Sequence, residues 1–154
     1  MEKIKTDFLS KLLYWIAIGG ILLATIVLIT LPWYVEIIFK DSAFYAVVEH
    51  YQVLVLLYMT GIPAWLVLWE TKGLARNIMM RTPFSDSSCT CLKVISICAL
   101  FIFFCYLFTC IFLRATFGIL VVTVGAFMVA LIAAILHRLV AVAIEIKEEN
   151  ELTI

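Results

Sequence analysis

No charged residue falls between Lys11 and Glu36, between His50 and Glu70, between Lys93 and Arg114, or between Arg114 and Arg138. Each of these four runs is about 20 residues or longer, the length an apolar helix needs to cross roughly 30 Å of hydrocarbon. Hydrocarbon offers no partners for bare backbone N–H and C=O groups, so a spanning segment must be a helix or part of a closed barrel. Barrel strands would be about 10 residues long and alternate polar with apolar positions, and none of the four runs alternates. Composition agrees: the chain is 66% hydrophobic and only 14% charged, whereas soluble domains carry about 25% charged residues. The expected fold is therefore all-α, an antiparallel four-transmembrane-helix bundle. One membrane domain covers residues 1–154, with spans near 12–32, 50–69, 93–113 and 116–138.

Lys3, Lys5 and Lys11 precede the first run in the manner of a signal peptide. A signal core is about 7–15 residues and ends at a small-residue cleavage site. Here the apolar run continues to Leu31 and meets Pro32-Trp33 without such a site, so an uncleaved anchor is expected. Four spans put the N-terminus, the Glu70–Lys93 connection and the C-terminus on one side. That side carries Lys3, Lys5, Lys11, Lys72, Arg76, Arg81, Lys93, Arg138 and Lys147, against Lys40 and Arg114 on the other. Lys and Arg accumulate on the cytoplasmic side, which predicts a multi-pass protein of the cell membrane with both termini in the cytoplasm. The formal net charge of zero thus conceals a sorted distribution.

Polar chemistry inside the runs is sparse. No acid or base interrupts a span core, so the residues that mark proton relays and ion paths are missing. No phosphate-cradling glycine loop and no nucleophile with an evident base stands out, and no enzymatic activity, cofactor or direct nucleic-acid binding is expected. Cys89-Thr90-Cys91 supplies two thiols in the Glu70–Lys93 connection, while Cys98, Cys105 and Cys110 fall in the third span. Zinc sites space their first cysteines by two to four residues and require further Cys or His ligands. The only histidines are His50 and His137, so no metal is expected and the cysteines read as free thiols. His137, beside Arg138, reads as an anchor at the membrane boundary.

Several local signals shape the connections. Pro32–His50 holds Trp33, Tyr34, Ile37, Ile38, Phe39, Phe44 and Tyr45, a composition suited to an interfacial collar. Gly61-Ile62-Pro63 interrupts span two, where proline removes a backbone hydrogen bond, for packing or for lining a ligand pocket. Gly20/Ala24 and Ala126/Ala130/Ala134 repeat small residues every fourth position, with Ala133, His137 and Ala141 one step round. Such faces let helices approach closely, within the bundle or between copies in a homo-oligomer. Leu74–Met80 reads as a short amphipathic helix stopped by Thr82-Pro83, with Asp86 or Ser87 as the cap of span three. No breaker follows Arg138, so span four should continue as a cytoplasmic helical tail over 139–154. Glu145, Glu148, Glu149 and Glu151 crowd that C-terminal end, where the helix dipole prefers cations. A basic counterpart is expected, either Arg76 and Arg81 just before Pro83-Phe84 or an external partner.

The segments Arg81–Ser96, "RTPFSDSSCTCLKVIS", and Lys147–Ile154, "KEENELTI", resemble the YoaS-like family of small four-span bacterial membrane proteins of unknown function. The resemblance rests on Pro83-Phe84 before span three and on the Lys-Glu-Glu-Asn-x-Leu-Thr-Ile tail; it leaves Cys-Thr-Cys unexplained. It implies no enzymatic activity. It also implies a neighbouring small helix-turn-helix regulator, and hence a membrane protein that restrains or informs a transcription factor. The expected role is a regulatory or scaffold protein whose partner-binding residues are Arg76, Arg81, Pro83, Phe84, Glu145, Glu148, Glu149 and Glu151. The alternative is a small transporter, or an immunity-type protein against a membrane-active peptide, that uses the Gly61–Pro63 kink and the aromatic outer loop.

Overall fold

The computed structural model describes the backbone of residues 2–39, 50–80, 82–112 and 116–152, and the side chains of 8, 10–37, 51–80, 82–112 and 116–150. Among the described residues the regular structure is wholly helical: α1 Glu2–Phe39, α2 His50–Met79, α3 Asp86–Phe112 and α4 Phe117–Leu152. Each helix contains a stretch long and apolar enough to cross a membrane, at Ser10–Ile37, Tyr51–Met79, Asp86–Phe112 and Phe117–Asn150. The side chains facing outward are those that lipid would cover, among them Ile29 at 73%, Ile111 at 67% and Ile135 at 58% exposure.

The helices outrun the charge-free segments because a charge ends an apolar run without ending a helix. Nothing between Glu70 and Met79 breaks the backbone pattern, so the expected Leu74–Met80 piece is simply the last turns of α2. The Glu70–Lys93 connection shrinks to residues 80–85. Likewise α4 passes Arg138 without a break and reaches Leu152. Its 36 residues extend about 54 Å, well beyond the hydrocarbon thickness.

Packing follows chain order. Among the described residues α1 lies against α2, α2 against α3 and α3 against α4, while α4 approaches neither α1 nor α2. The four helices therefore form an open row. Neighbours run antiparallel, as the cross-helix contacts show: Thr25 meets Trp65 and Leu28 meets Tyr58, Thr60 meets Tyr106 and Asn77 meets Ser88, and Ser96 meets Ala130. This alternation puts the start of α1, the 80–85 connection and the end of α4 at one end of the row.

The α1–α2 seam turns on a proline. Pro32 lies inside α1 and has no N–H, so the Leu28 carbonyl four residues earlier loses its helical donor. The Tyr58 hydroxyl, from α2, donates to that carbonyl at 3.2 Å. Leu31, Val35 and Val53 form a buried cluster beside it, with Leu28, Leu54, Leu57 and Tyr58 packed against them. Pro32 thus leaves a carbonyl that α2 satisfies, and the span does not end there. α1 continues to Phe39 and carries Trp33, Tyr34 and Ile37 as exposed helical residues. Phe44 and Tyr45 of the expected collar, with Lys40 and Arg114, lie outside the described residues. Gly61 serves packing: a Cβ there would stand 2.7 Å from Leu28 Cδ2. Gly20 similarly sits against Leu68, where a Cβ would be 3.4 Å from its Cδ2.

On α4 the small-residue face departs from the fourfold spacing. Ala130 and Ala133 are buried, Ala134 is exposed, and a Cβ on Gly118 or Gly125 would meet nothing within 4 Å. Helices that cross at a shallow angle keep contact with a period nearer 3.5 than 4. After Ala130 the contact therefore steps to Ala133 and then His137. The Ser96 hydroxyl donates to the Ala130 carbonyl at 3.1 Å, and Phe103 packs on Phe127 with ring centroids 5.1 Å apart.

Two outcomes follow from this packing. Tyr58→Phe should destabilise the detergent-solubilised protein by about 1 kcal/mol, in the range of hydrogen bonds between membrane helices. In a Pro32→Ala background, where residue 32 supplies its own N–H to Leu28, the same change should cost much less; equal costs in both backgrounds would disprove the rescue. Ala130→Leu should lower thermal stability by about 1–3 kcal/mol through overpacking, while Ala134→Leu should leave it unchanged.

Candidate functional site

The polar side chains of α2, α3 and α4 gather where α2 gives way to α3. Thr82-Pro83 stops α2, since the residue before proline is pushed out of the helical region. The last turn closes with the Met80 N–H on the Arg76 carbonyl and the Thr82 N–H on the Asn77 carbonyl, both at 3.0 Å. Pro83 and Phe84 then face outward, Phe84 with 58% of its surface exposed. Ser85 caps α3, in place of the expected Asp86 or Ser87. Its Oγ accepts the Ser88 N–H at 3.3 Å, and its carbonyl accepts the Cys89 N–H at 3.0 Å. A cap residue must supply both that side-chain acceptor and the first helical carbonyl. Asp86 instead stands in the first turn, where its charge suits the dipole.

Asn77 staples the two helices. Its Nδ2 donates to Ser87 Oγ at 3.2 Å and to Ser88 Oγ at 3.1 Å, and Ser88 is fully buried. One turn further on, Cys-Thr-Cys divides between two neighbours. Cys91 is buried and turns to α2, where it meets Gly73 and Glu70. Cys89 turns the other way, to α4, and its Sγ lies 3.2 Å from His137 Nδ1. That Nδ1 is also 3.0 Å from the Cys89 carbonyl oxygen. His137 is therefore a partner of α3. Residues two apart on a helix point nearly opposite ways, so the two thiols cannot act as one chelating unit. Among the described residues no group of three His, Cys, Asp or Glu side chains is placed to hold a metal, and all five cysteines are free thiols.

Cations ring this end of the row. Lys72 Nζ sits 3.4 Å from the Trp69 ring centroid, Trp69 stacks on Trp65 at 5.4 Å, and Lys11, Lys93 and Arg138 are exposed. Trp with Lys and Arg marks a membrane–water boundary. Beyond it α4 carries the exposed Glu145, Glu148 and Glu149. Arg76 is exposed at the end of α2. Among the described residues α2 and α4 do not approach one another, and Arg76 is not brought to these acids. Arg81 and the Glu151 side chain lie outside the described residues. Elsewhere, an apolar groove of about 670 Å³ between α2 and α3 is lined by Tyr51, Val55, Met59, Phe101, Phe104 and Phe108. A smaller one of about 220 Å³ is lined by Thr25, Leu28, Ile29, Ile62 and Trp65.

The Cys89–His137 pair is the contact that residue-by-residue reading missed. Its signal was the hairpin register. Cys89 precedes Arg114 by 25 residues and His137 follows it by 23, so a tight antiparallel turn at Arg114 puts them within a turn of each other.

The family described as "Protein of unknown function (DUF2975)" matches residues 39–154. The "Uncharacterized membrane protein YoaS" of Bacillus subtilis (strain 168) is 30% identical over 164 residues, covering 100% of both chains. No solved structure matches.

Ser85→Ala should cost about 0.5–2 kcal/mol, as removal of an N-cap does. It should also speed hydrogen exchange at the Ser88 and Cys89 amides. Ser87→Ala should affect those amides far less; comparable acceleration by both would place the cap elsewhere.

Proposed function

The chain belongs to the DUF2975 family of membrane proteins of unknown function, and from that premise we propose a regulatory or scaffold protein without enzymatic activity. Its site is the end of the row where Pro83-Phe84 and the tail of α4 emerge together. This end faces the cytoplasm of a bacterial cell, with both termini there, because it gathers Lys11, Lys72, Arg76, Lys93 and Arg138. The observation that carries the reading is the exposure of Phe84 in a connection otherwise held by Asn77 and Ser85. A large aromatic offered to water from a fixed frame is the kind of anchor that dominates protein interfaces. The acids Glu145, Glu148 and Glu149 supply charge that steers a basic partner. The family resemblance makes a small helix-turn-helix regulator the leading candidate, bound as a protein and without direct contact of this chain to nucleic acid. The transporter or immunity-type alternative draws less support, since Gly61 is occupied with Leu28 and both grooves are apolar.

Two experiments test this reading. A cysteine introduced at position 40 or 114 should react with an impermeant reagent outside intact cells, and one at position 76 should not; labelling at 76 would invert the orientation. A photocrosslinking amino acid in place of Phe84 should form an adduct with the co-expressed helix-turn-helix regulator. Deleting residues 147–154 should weaken that adduct. A regulator that forms no adduct with either form would remove it as the partner.

A further inference from the structure

Among the described residues α4 packs on α3 alone, with Thr123, Ala130, Ala133 and His137 on the packed face. Half a turn away runs a second line, spaced alternately three and four residues apart. It starts at Gly118, passes through Ile132 and Ile135, and ends with Leu139, Val142 and Ile146. Every position on it is apolar and exposed. Such spacing, kept for about four heptads, is that of a coiled-coil seam. Lipid can cover only part of the line. The Ser96–Ala130 and Cys89–His137 contacts set a register that puts the exposed Lys93 level with Ala133, and Lys gathers at the membrane boundary. At about 1.5 Å per residue, Leu139, Val142 and Ile146 stand about 9, 14 and 20 Å past that level. The headgroup layer adds only about 5–8 Å on each side. Leu139 at 59% and Ile146 at 53% exposure are thus an apolar edge in water.

We propose that the chain forms a parallel homodimer through this free face of α4, a coiled coil that begins within the membrane and runs on into water as far as Ile146. Whatever covers the whole line must cross the bilayer beside α4 as an apolar helix. It must then continue as a helix for the same distance into water. The α4 of a second copy, inserted in the same orientation, does both. Gly118 and Gly125 lie one heptad apart on the line, and a Cβ on either would meet nothing within 4 Å. Small residues so placed let the backbone of a partner helix approach. The next position is Glu149, where two parallel copies would set like charges against each other, so the seam stops at Ile146. From Gly118 to Ile146 the strip is about 42 Å long and about 10–12 Å wide. The pair would bury about 800–1,000 Å², the scale of a reversible association rather than a permanent one. This contact does not depend on Phe84 or on a bound regulator.

The test uses the full chain in cell membranes, carrying a photocrosslinking amino acid at position 135, 139 or 146. Illumination should join two differently tagged copies through α4, identified by peptide mass spectrometry. The same group at 134 or 141, round the helix from the line, should join far fewer. A second measurement follows energy transfer between labelled copies in proteoliposomes as lipid dilutes them. Leu139→Glu and Ile146→Glu should each weaken the association about tenfold or more, since each removes an apolar side chain from both sides of the seam. Both positions are exposed in the single chain, so the melting of detergent-isolated monomers should not change. Adducts with another protein or with lipid alone, equal adducts at 134 and 141, or undiminished energy transfer in both Glu variants would overturn the proposal.

Discussion

Every backbone carbonyl in hydrocarbon needs a donor, because lipid provides none, and the Leu28 carbonyl shows what this demand does to the fold. Pro32 deprives it of its helical N–H, and Tyr58 on the next helix answers at 3.2 Å. A defect in one helix thereby specifies the identity and height of a residue on its neighbour. The same demand explains where other hydroxyls go. Thr25, Thr60, Thr109 and Thr123 each return their Oγ to the carbonyl four residues back. Ser96 instead spends its hydroxyl on Ala130 of α4. Apolar packing in lipid is weakly directional, so these few directed bonds set the register of neighbouring helices.

The polar end follows the same logic in a wetter setting. Asn77, Ser85, Ser87 and Ser88 close the turn between α2 and α3 through bonds that need no apolar core. Cys91 and Cys89 then divide the faces of α3 between α2 and α4. From this junction Phe84 projects on one side and the long end of α4 on the other.

Much of this was legible in the amino-acid sequence. The charge-free runs gave the four spans, and Thr82-Pro83 marked the end of α2. The cap was harder, since Ser85, Asp86 and Ser87 are all good cap residues and only the backbone decides which carbonyl begins the helix. Ala134 is exposed within the row because fourfold spacing overshoots the period of a shallow crossing, whereas the neighbouring Ala133–His137 line fits it. His137 was hidden for a different reason. Its own helix offers no clue, because its partner lies 48 residues away and becomes adjacent only once the hairpin folds.

The open row has a consequence for how the protein is made. Among the described residues each helix touches only the helices before and after it in the chain. A membrane protein enters the bilayer in the order in which it is translated, and here no seam has to wait for a distant segment. When α2 emerges, Tyr58 can at once satisfy the carbonyl that Pro32 left bare. α3 brings its serines to a waiting Asn77, and α4 brings His137 to a waiting Cys89. Assembly can run like a zip fastener, with each completed hairpin serving as the template for the next insertion.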